Sequence, residues 1–142
     1  MSTYKHLMVA LDLSKESEAV LSKARALAAS QGADISLCHI VEPLAFAYGG
    51  DVPLDMSEAQ TIIESQAKKR MAALVDDMQL DTHKQIIAVG QTSSEIHEVA
   101  KEQHADLIVV GSHGRHGLAL LFGSTANGVL HGAEIDVLAV RV

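Results

Sequence analysis

Five short apolar runs punctuate this chain, at His6 to Leu11, Ile35 to Val41, Ile86 to Val89, Leu107 to Val110 and Val137 to Val142. The first and the fourth are nearly free of polar interruption. A strand with one wet face alternates apolar with polar, whereas a strand covered on both faces does not; unbroken runs are the habit of parallel sheets sandwiched by helices. Between the runs, apolar residues return at helical spacing. Val20, Leu21, Ala24, Leu27 and Ala28 form one such stripe, with Ser14 placed to cap the helix, Glu16 and Glu18 near its positive end and Gly32 at its stop. A long polar helix is expected from about Ser57 to Met78, with Ile62, Ile63, Ala67, Met71, Leu74 and Val75 on its buried stripe. Thr92 and Glu95 have capping-box spacing and open a third helix that turns Ile96, Val99 and Ala100 inward. A fourth is expected to start near Ser124. Five strands alternating with four helices predict an α/β protein built on a parallel sheet.

Residues 42–56, EPLAFAYGGDVPLDM, hold both prolines and a Gly-Gly pair, and are expected to form a loop or lid. No internal repeat, linker or low-complexity tract divides the chain. Its 142 residues are expected to form one domain, 1–142, long enough to bury a proper core. Aromatic residues make up 3% with no Trp, so that core must be aliphatic, and platforms that stack bases on aromatic rings are disfavoured.

A formal charge of −7 repels polyanions. The one dense basic cluster, Lys68-Lys69-Arg70, lies in the polar helix and reads as a solvated face, so nucleic acid is not an expected partner. The single cysteine, Cys38, sits inside the second apolar run and reads as a buried, inert thiol. Met1 to His6 has no charged-then-apolar leader pattern, and no apolar run approaches the ~20 residues a membrane span needs. The expectation is a cytoplasmic protein without membrane insertion.

The stretch with chemical content is GSHGRHGLALLFGST, residues 111 to 125, directly after the fourth strand. In open parallel sheets, ligands sit beyond the carboxyl ends of the strands where the strand order reverses. Gly111, Gly114, Gly117 and Gly123 allow positive φ and let backbone N–H groups approach a ligand with no Cβ in the way. Ser124 and Thr125 stand where a helix should begin, and unpaired N–H groups there favour an anion. Arg115 carries the permanent charge of the loop and suits phosphate oxygens. The competing view is a tight turn with a packing glycine and a serine that only caps. Neither G-x-x-x-x-G-K-[ST] nor a G-x-G-x-x-G after the first strand is present.

His113, His116 and His131 invite a metal reading, but zinc needs three or four ligands with a supporting shell, and they read better as histidines bonded to phosphate or solvent. His39, inside a strand, reads as a core histidine bonded to a neighbour. No catalytic apparatus stands out. Phosphoryl transfer needs a positioned base, metal-holding groups and a cationic clamp, of which Asp12 and Arg115 supply little. There is no G-x-S-x-G elbow either. Any phosphoryl transfer is expected to be slow, and a sensor that binds a phosphorylated ligand describes the chain better than an enzyme.

The glycine stretch resembles the nucleotide-binding signature of the universal stress protein family, G-x2-G-x9-G-[ST]. KHLMVALDLSKES is similar to that family's first strand and turn, Cys38-His39-Ile40-Val41 to the end of its second strand, and DLIVVGSHGR and IDVLAVRV to its fourth and fifth. Eight residues, rather than nine, separate Gly114 from Gly123. The resemblance implies an open, Rossmann-like five-stranded sheet in the order 3-2-1-4-5 with helices on both faces, related to the adenine nucleotide alpha-hydrolase architecture. It implies ATP, carried with Mg2+, as ligand. Position by position, Ala10 and Ile40 would line the adenine and Asp12 would lie beside the nucleotide. Val110, Gly111, Gly114, Gly123, Ser124 and Thr125 would contact ribose and phosphates. Asp12 has an equally good local reading as a group that steadies the turn before Ser14. The resemblance further implies a homodimer paired through Val137–Val142. Two other readings stay open: an interaction protein indifferent to nucleotide, and a true ATP-cleaving enzyme.

Overall fold

The computed structural model describes residues 3–44, 56–80, 84–112 and 124–142. Within them the chain alternates β1 (His6–Ala10), α1 (Ser17–Gln31), β2 (Asp34–Val41), α2 (Met56–Asp77), β3 (Gln85–Val89), α3 (Thr92–Glu102), β4 (Leu107–Gly111), α4 (Ser124–His131) and β5 (Asp136–Val140). The strands form one parallel sheet in the order β3-β2-β1-β4-β5. This is the α/β architecture expected from the unbroken apolar runs. Most of the expected loop at 42–56 lies outside the described residues.

Alternation along the strands divides the core into two layers. Leu7, Val9, Leu11, Leu37, Leu107 and Val109 face Val20, Leu21, Ala24 and Ala28 of α1 and Met71 of α2. Met8, Cys38, Ile40, Ile108 and Val110 face Ile96, Val99 and Ala100 of α3 and Val129 of α4. Helices therefore cover both faces, α1 and α2 on one and α3 and α4 on the other. Cys38 is fully buried, and burial pushes its thiol up to about 12, which makes it the inert core group its position suggested.

Four local expectations need correction. Ser14 does not cap α1: the helix starts at Ser17 with Glu16 in the cap position and no side-chain bond there. Leu13 takes a left-handed conformation (φ 61°) and the helix starts two residues later than a Ser14 cap would place it, leaving the Ser14 hydroxyl to Asp12 and Glu16. Thr92 does not cap α3. Gln91 does, its side chain accepting from Ser94 N at 2.8 Å, while the Thr92 hydroxyl donates to Glu42 at 2.7 Å. Ile62 and Ile63, counted in the buried stripe of α2, are 56% and 38% exposed, because only the later part of that helix, at Ala67 and Met71, beds on the sheet. Finally, β5 ends at Val140 rather than Val142, although Val142 still packs against the α1 layer. The expected glycine stop holds: Gly32 caps α1 with φ 65°.

At the amino ends of the strands, the Asp106 carboxylate accepts from Lys5 N (2.9 Å) and His6 N (3.0 Å), tying β1 to the residue before β4. The His6 ring bonds the fully buried Ser36 hydroxyl across to β2. Burial lowers the His6 pKa from its ordinary 6.5, against the opposing pull of Asp34 and Asp106. A folded value below the unfolded one means that the unfolded chain takes the proton first, so the stability His6 contributes is present above pH 6.5 and is lost as pH falls through 6.5 toward the folded value. Urea denaturation of the wild-type chain should accordingly lose more stability between neutral and mildly acid pH than that of His6→Gln, which keeps the Ser36 bond without titrating. Equal losses would contradict the assignment. In the same assay Met71→Ala should cost about 2–5 kcal/mol, whereas Ile62→Gln should stay within about 0.5 kcal/mol of wild type.

Candidate functional site

The strand order reverses between β1 and β4, and the carboxyl ends of β1, β2 and β4 meet there. Ala10, Ile40 and Val110 lie on the same face of the sheet, toward α3 and α4. Ala10 pairs with Cys38, and Ile40 stands two residues beyond it. Val9 pairs with Val109, which sets Ala10 and Val110 at one level across the reversal. The register thus brings three of the expected site residues to one apolar shelf. Gly111, the next residue, belongs to the opposite face. A Cβ there would lie 3.1 Å from Val20 Cγ2 and 3.6 Å from Val142 Cγ2, so its bareness serves close packing against α1 and the chain end.

The turn after β1 is tightly tied. Asp12 Oδ1 accepts from Ser14 N (2.9 Å), Ser14 Oγ (2.7 Å) and the buried Ser17 Oγ (3.2 Å). The local reading of Asp12 is therefore realised. The left-handed Leu13 beside it carries a steric cost of roughly 1–2 kcal/mol for a residue with a Cβ, and the three bonds to Asp12 help hold it. Ser14 Oγ also lies 2.8 Å from Glu16 Oε2, so one hydroxyl stands between two carboxylates. With Glu42 exposed just past β2, the rim of the shelf is acidic.

The helix after β4 begins at Ser124, with Thr125 in second place, as the sequence led one to expect. Gly114, Arg115 and Gly123 lie outside the described residues, as do His113 and His116; His131 ends α4. What fixes α4 went unread in the sequence. His97 of α3 donates from Nε2 to the Val129 carbonyl at 3.0 Å. A Cβ on Gly128 would fall 2.1 Å from Ser93 Oγ, and one on Gly132 would fall 3.3 Å from the His97 ring. Two glycines and a histidine thus let α4 sit directly on α3. Only the spacing G-x-x-x-G in the last helix could have signalled it.

The sequence model of the universal stress protein family matches residues 3–141. The chain belongs to that family. It is 44% identical to universal stress protein A homolog 2 of Coxiella burnetii, with 100% of this chain and 98% of the relative covered. Among solved structures, UspA of Lactobacillus plantarum superimposes with a TM-score of 0.82 at 24% identity, over 99% of this chain and 100% of that one. Two further structures of this fold contain nucleotides. A universal stress protein in complex with cAMP has a TM-score of 0.60 at 24% identity and covers 99% of this chain and 98% of its own. One from Archaeoglobus fulgidus in complex with dAMP has a TM-score of 0.63 at 23% identity, over 96% of this chain and 98% of that one.

Gly128→Ala should destabilise the fold by about 1–3 kcal/mol in spite of alanine's better helix propensity. The same substitution in a Ser93→Ala background should recover part of that loss, a coupling that a double-mutant cycle measures. Additive effects would mean that α3 and α4 do not meet at this pair.

Proposed function

We propose that this universal stress protein binds ATP, carried with magnesium, on the shelf at the carboxyl ends of β1, β2 and β4. Occupancy would change its shape or its partners during stress. The observation that carries the reading is the alignment of Ala10, Ile40 and Val110 on one face of the strand-order reversal, beside the turn of Asp12. An adenine needs a flat apolar seat with polar backbone at its edge, which strand ends supply. The adenine nucleotides bound by the two structural relatives support the choice of base. In this reading Ala10 and Ile40 line the adenine, and Asp12 lies beside the nucleotide. Val110, Gly111, Gly114, Gly123, Ser124 and Thr125 take the ribose and phosphates with Arg115, the α4 N-terminus adding its positive end. The acidic rim of Asp12, Glu16 and Glu42 disfavours a bare polyphosphate, so a magnesium-neutralised one suits the site better.

The same proposal takes residues 1–142 as one domain, places the protein in the cytoplasm and pairs two copies through β5. That strand is an edge of the sheet, and Leu138 on it is 37% exposed, so an unpaired β5 would be an open template for another strand. None of the described residues forms a helix long and apolar enough to cross a membrane. We read the chain as a sensor rather than a fast ATPase because Asp12 and Arg115 alone supply little of what phosphoryl transfer needs. In the rival reading, an interaction protein indifferent to nucleotide, that shelf would stay empty and the purified protein would carry no nucleotide.

Isothermal titration with ATP and magnesium should give saturable heat, weakened when magnesium is chelated. Gly114→Val should abolish it while circular dichroism and melting temperature stay as in wild type. Absence of heat at high protein concentration, together with no nucleotide released on denaturing the purified protein, would overturn the assignment. Sedimentation should show a dimer that Leu138→Lys converts to monomer.

A further inference from the structure

We infer that His39 is a positioning residue for this site: its ring holds the Leu11 carbonyl and so sets the direction in which Asp12 leaves β1. The inference rests on the nucleotide reading above and deepens it. β1 ends at Ala10, yet Leu11 N still donates to Cys38 O at 2.8 Å, so the chain follows β2 for one more residue. At the next group the ring of His39 intervenes, Nδ1 lying 2.7 Å from Leu11 O. A carbonyl can only accept, so Nδ1 carries the hydrogen. Since the Leu11–Asp12 peptide is planar and trans, fixing its oxygen fixes the opposed N–H and the Cα of Asp12 in the same plane.

Downstream, the bonds from Ser14 and Ser17 to the Asp12 carboxylate hold the turn from its other end. The left-handed Leu13 sits between these two anchors, where a strained conformation persists only because its surroundings over-determine it. Neighbouring strand residues point to opposite faces. Ile40 belongs to the shelf layer and Leu37 to the α1 layer, so His39 stands on the α1 side. His39 is thus placed behind the shelf, able to steer Asp12 but not to touch what lies on it. Adjacent residues of β2 divide the work: Ile40 lines the seat and His39 sets the turn at its edge.

The test compares His39→Leu and His39→Ala with His39→Asn, whose Nδ2 can occupy the place of Nδ1. With all variants melting cooperatively, leucine and alanine should weaken binding of magnesium ATP about 10-fold, the loss expected for one hydrogen bond. They should also speed amide exchange at Asp12 and Ser14, and asparagine should restore both properties. Unchanged affinity in the leucine and alanine variants, or failure of asparagine to rescue, would overturn the role. Were the wild-type chain itself silent toward ATP, the nucleotide reading would fall. The exchange measurement would then decide alone, and unaltered exchange at Asp12 and Ser14 in His39→Leu and His39→Ala would refute the positioning role.

Discussion

Everything in this molecule depends on β1 and β4 being adjacent and buried on both sides. Leu7, Met8, Val9, Ile108 and Val109 have no exposed surface at all. Side chains of that kind must be roofed twice, once by α1 and α2 and once by α3 and α4. To roof both faces, the connections after β1 and after β4 must depart toward opposite sides of the sheet, and the crossovers that do so reverse the strand order between those two strands. A crevice at their carboxyl ends is the geometric consequence. The apolar requirement of the core therefore generates the place where a ligand can sit, before any residue in that place is considered.

The same requirement explains why the architecture was legible in the sequence. An unbroken apolar run such as Leu107 to Val110 can satisfy itself in few ways, so it fixes strand type and burial together. The single-layer features were less legible. Ser14 and Thr92 are both good helix caps by residue type, yet each hydroxyl found a better acceptor, Asp12 for one and Glu42 for the other. Both acceptors sit on turns following other strands or preceding the helix, and their reach depends on the finished fold. Ile62 and Ile63 share a helical face with Ala67 and Met71, but periodicity says which side is apolar and not how far along the helix the sheet extends. Of the expected site residues, Ala10, Ile40 and Val110 could be named only through the family resemblance, and the sheet register then brings them to one face. His97 and Gly128 could not, since their role is a contact between two helices brought together only by packing.

Bare backbone has more than one meaning among the described glycines, which bears on how glycine-rich signatures are used. At Gly32 the reason is a left-handed cap, the ordinary need of a helix end. At Gly111 it is the closeness of Val20 and Val142, and at Gly128 the closeness of Ser93. None of these three is explained by a ligand, and two of them lie within or beside the segment where the signature resides. A glycine in or beside that segment is therefore not by itself the mark of a phosphate cradle. What separates a cradle from a packing turn is the direction of the absent side chain. At Gly111 that direction leads into the α1 layer, away from the shelf of Ala10, Ile40 and Val110.

On the proposed reading, a seat for a flat base and a grip for its phosphates are separate demands, and separate parts of the chain would meet them. The seat comes from the sheet, whose rigidity follows from parallel pairing along β1, β2 and β4 and from the ties that continue past it: Leu11 to Cys38, His39 to Leu11, Ser112 to Val140. The grip must come from loop backbone and the start of α4, whose placement follows from α3 through His97, Ser93 and Gly128. α4 packs on α3 and also on β4 and β5, so a shift of α3 would be felt both by α4 and by the shelf residues Ile40 and Val110 that lie in the same layer. On the proposed reading, a base seated on the sheet and phosphates held at the start of α4 would form a pair whose relative position could report occupancy. Such a division would give a small domain a physical route from bound nucleotide to altered surface.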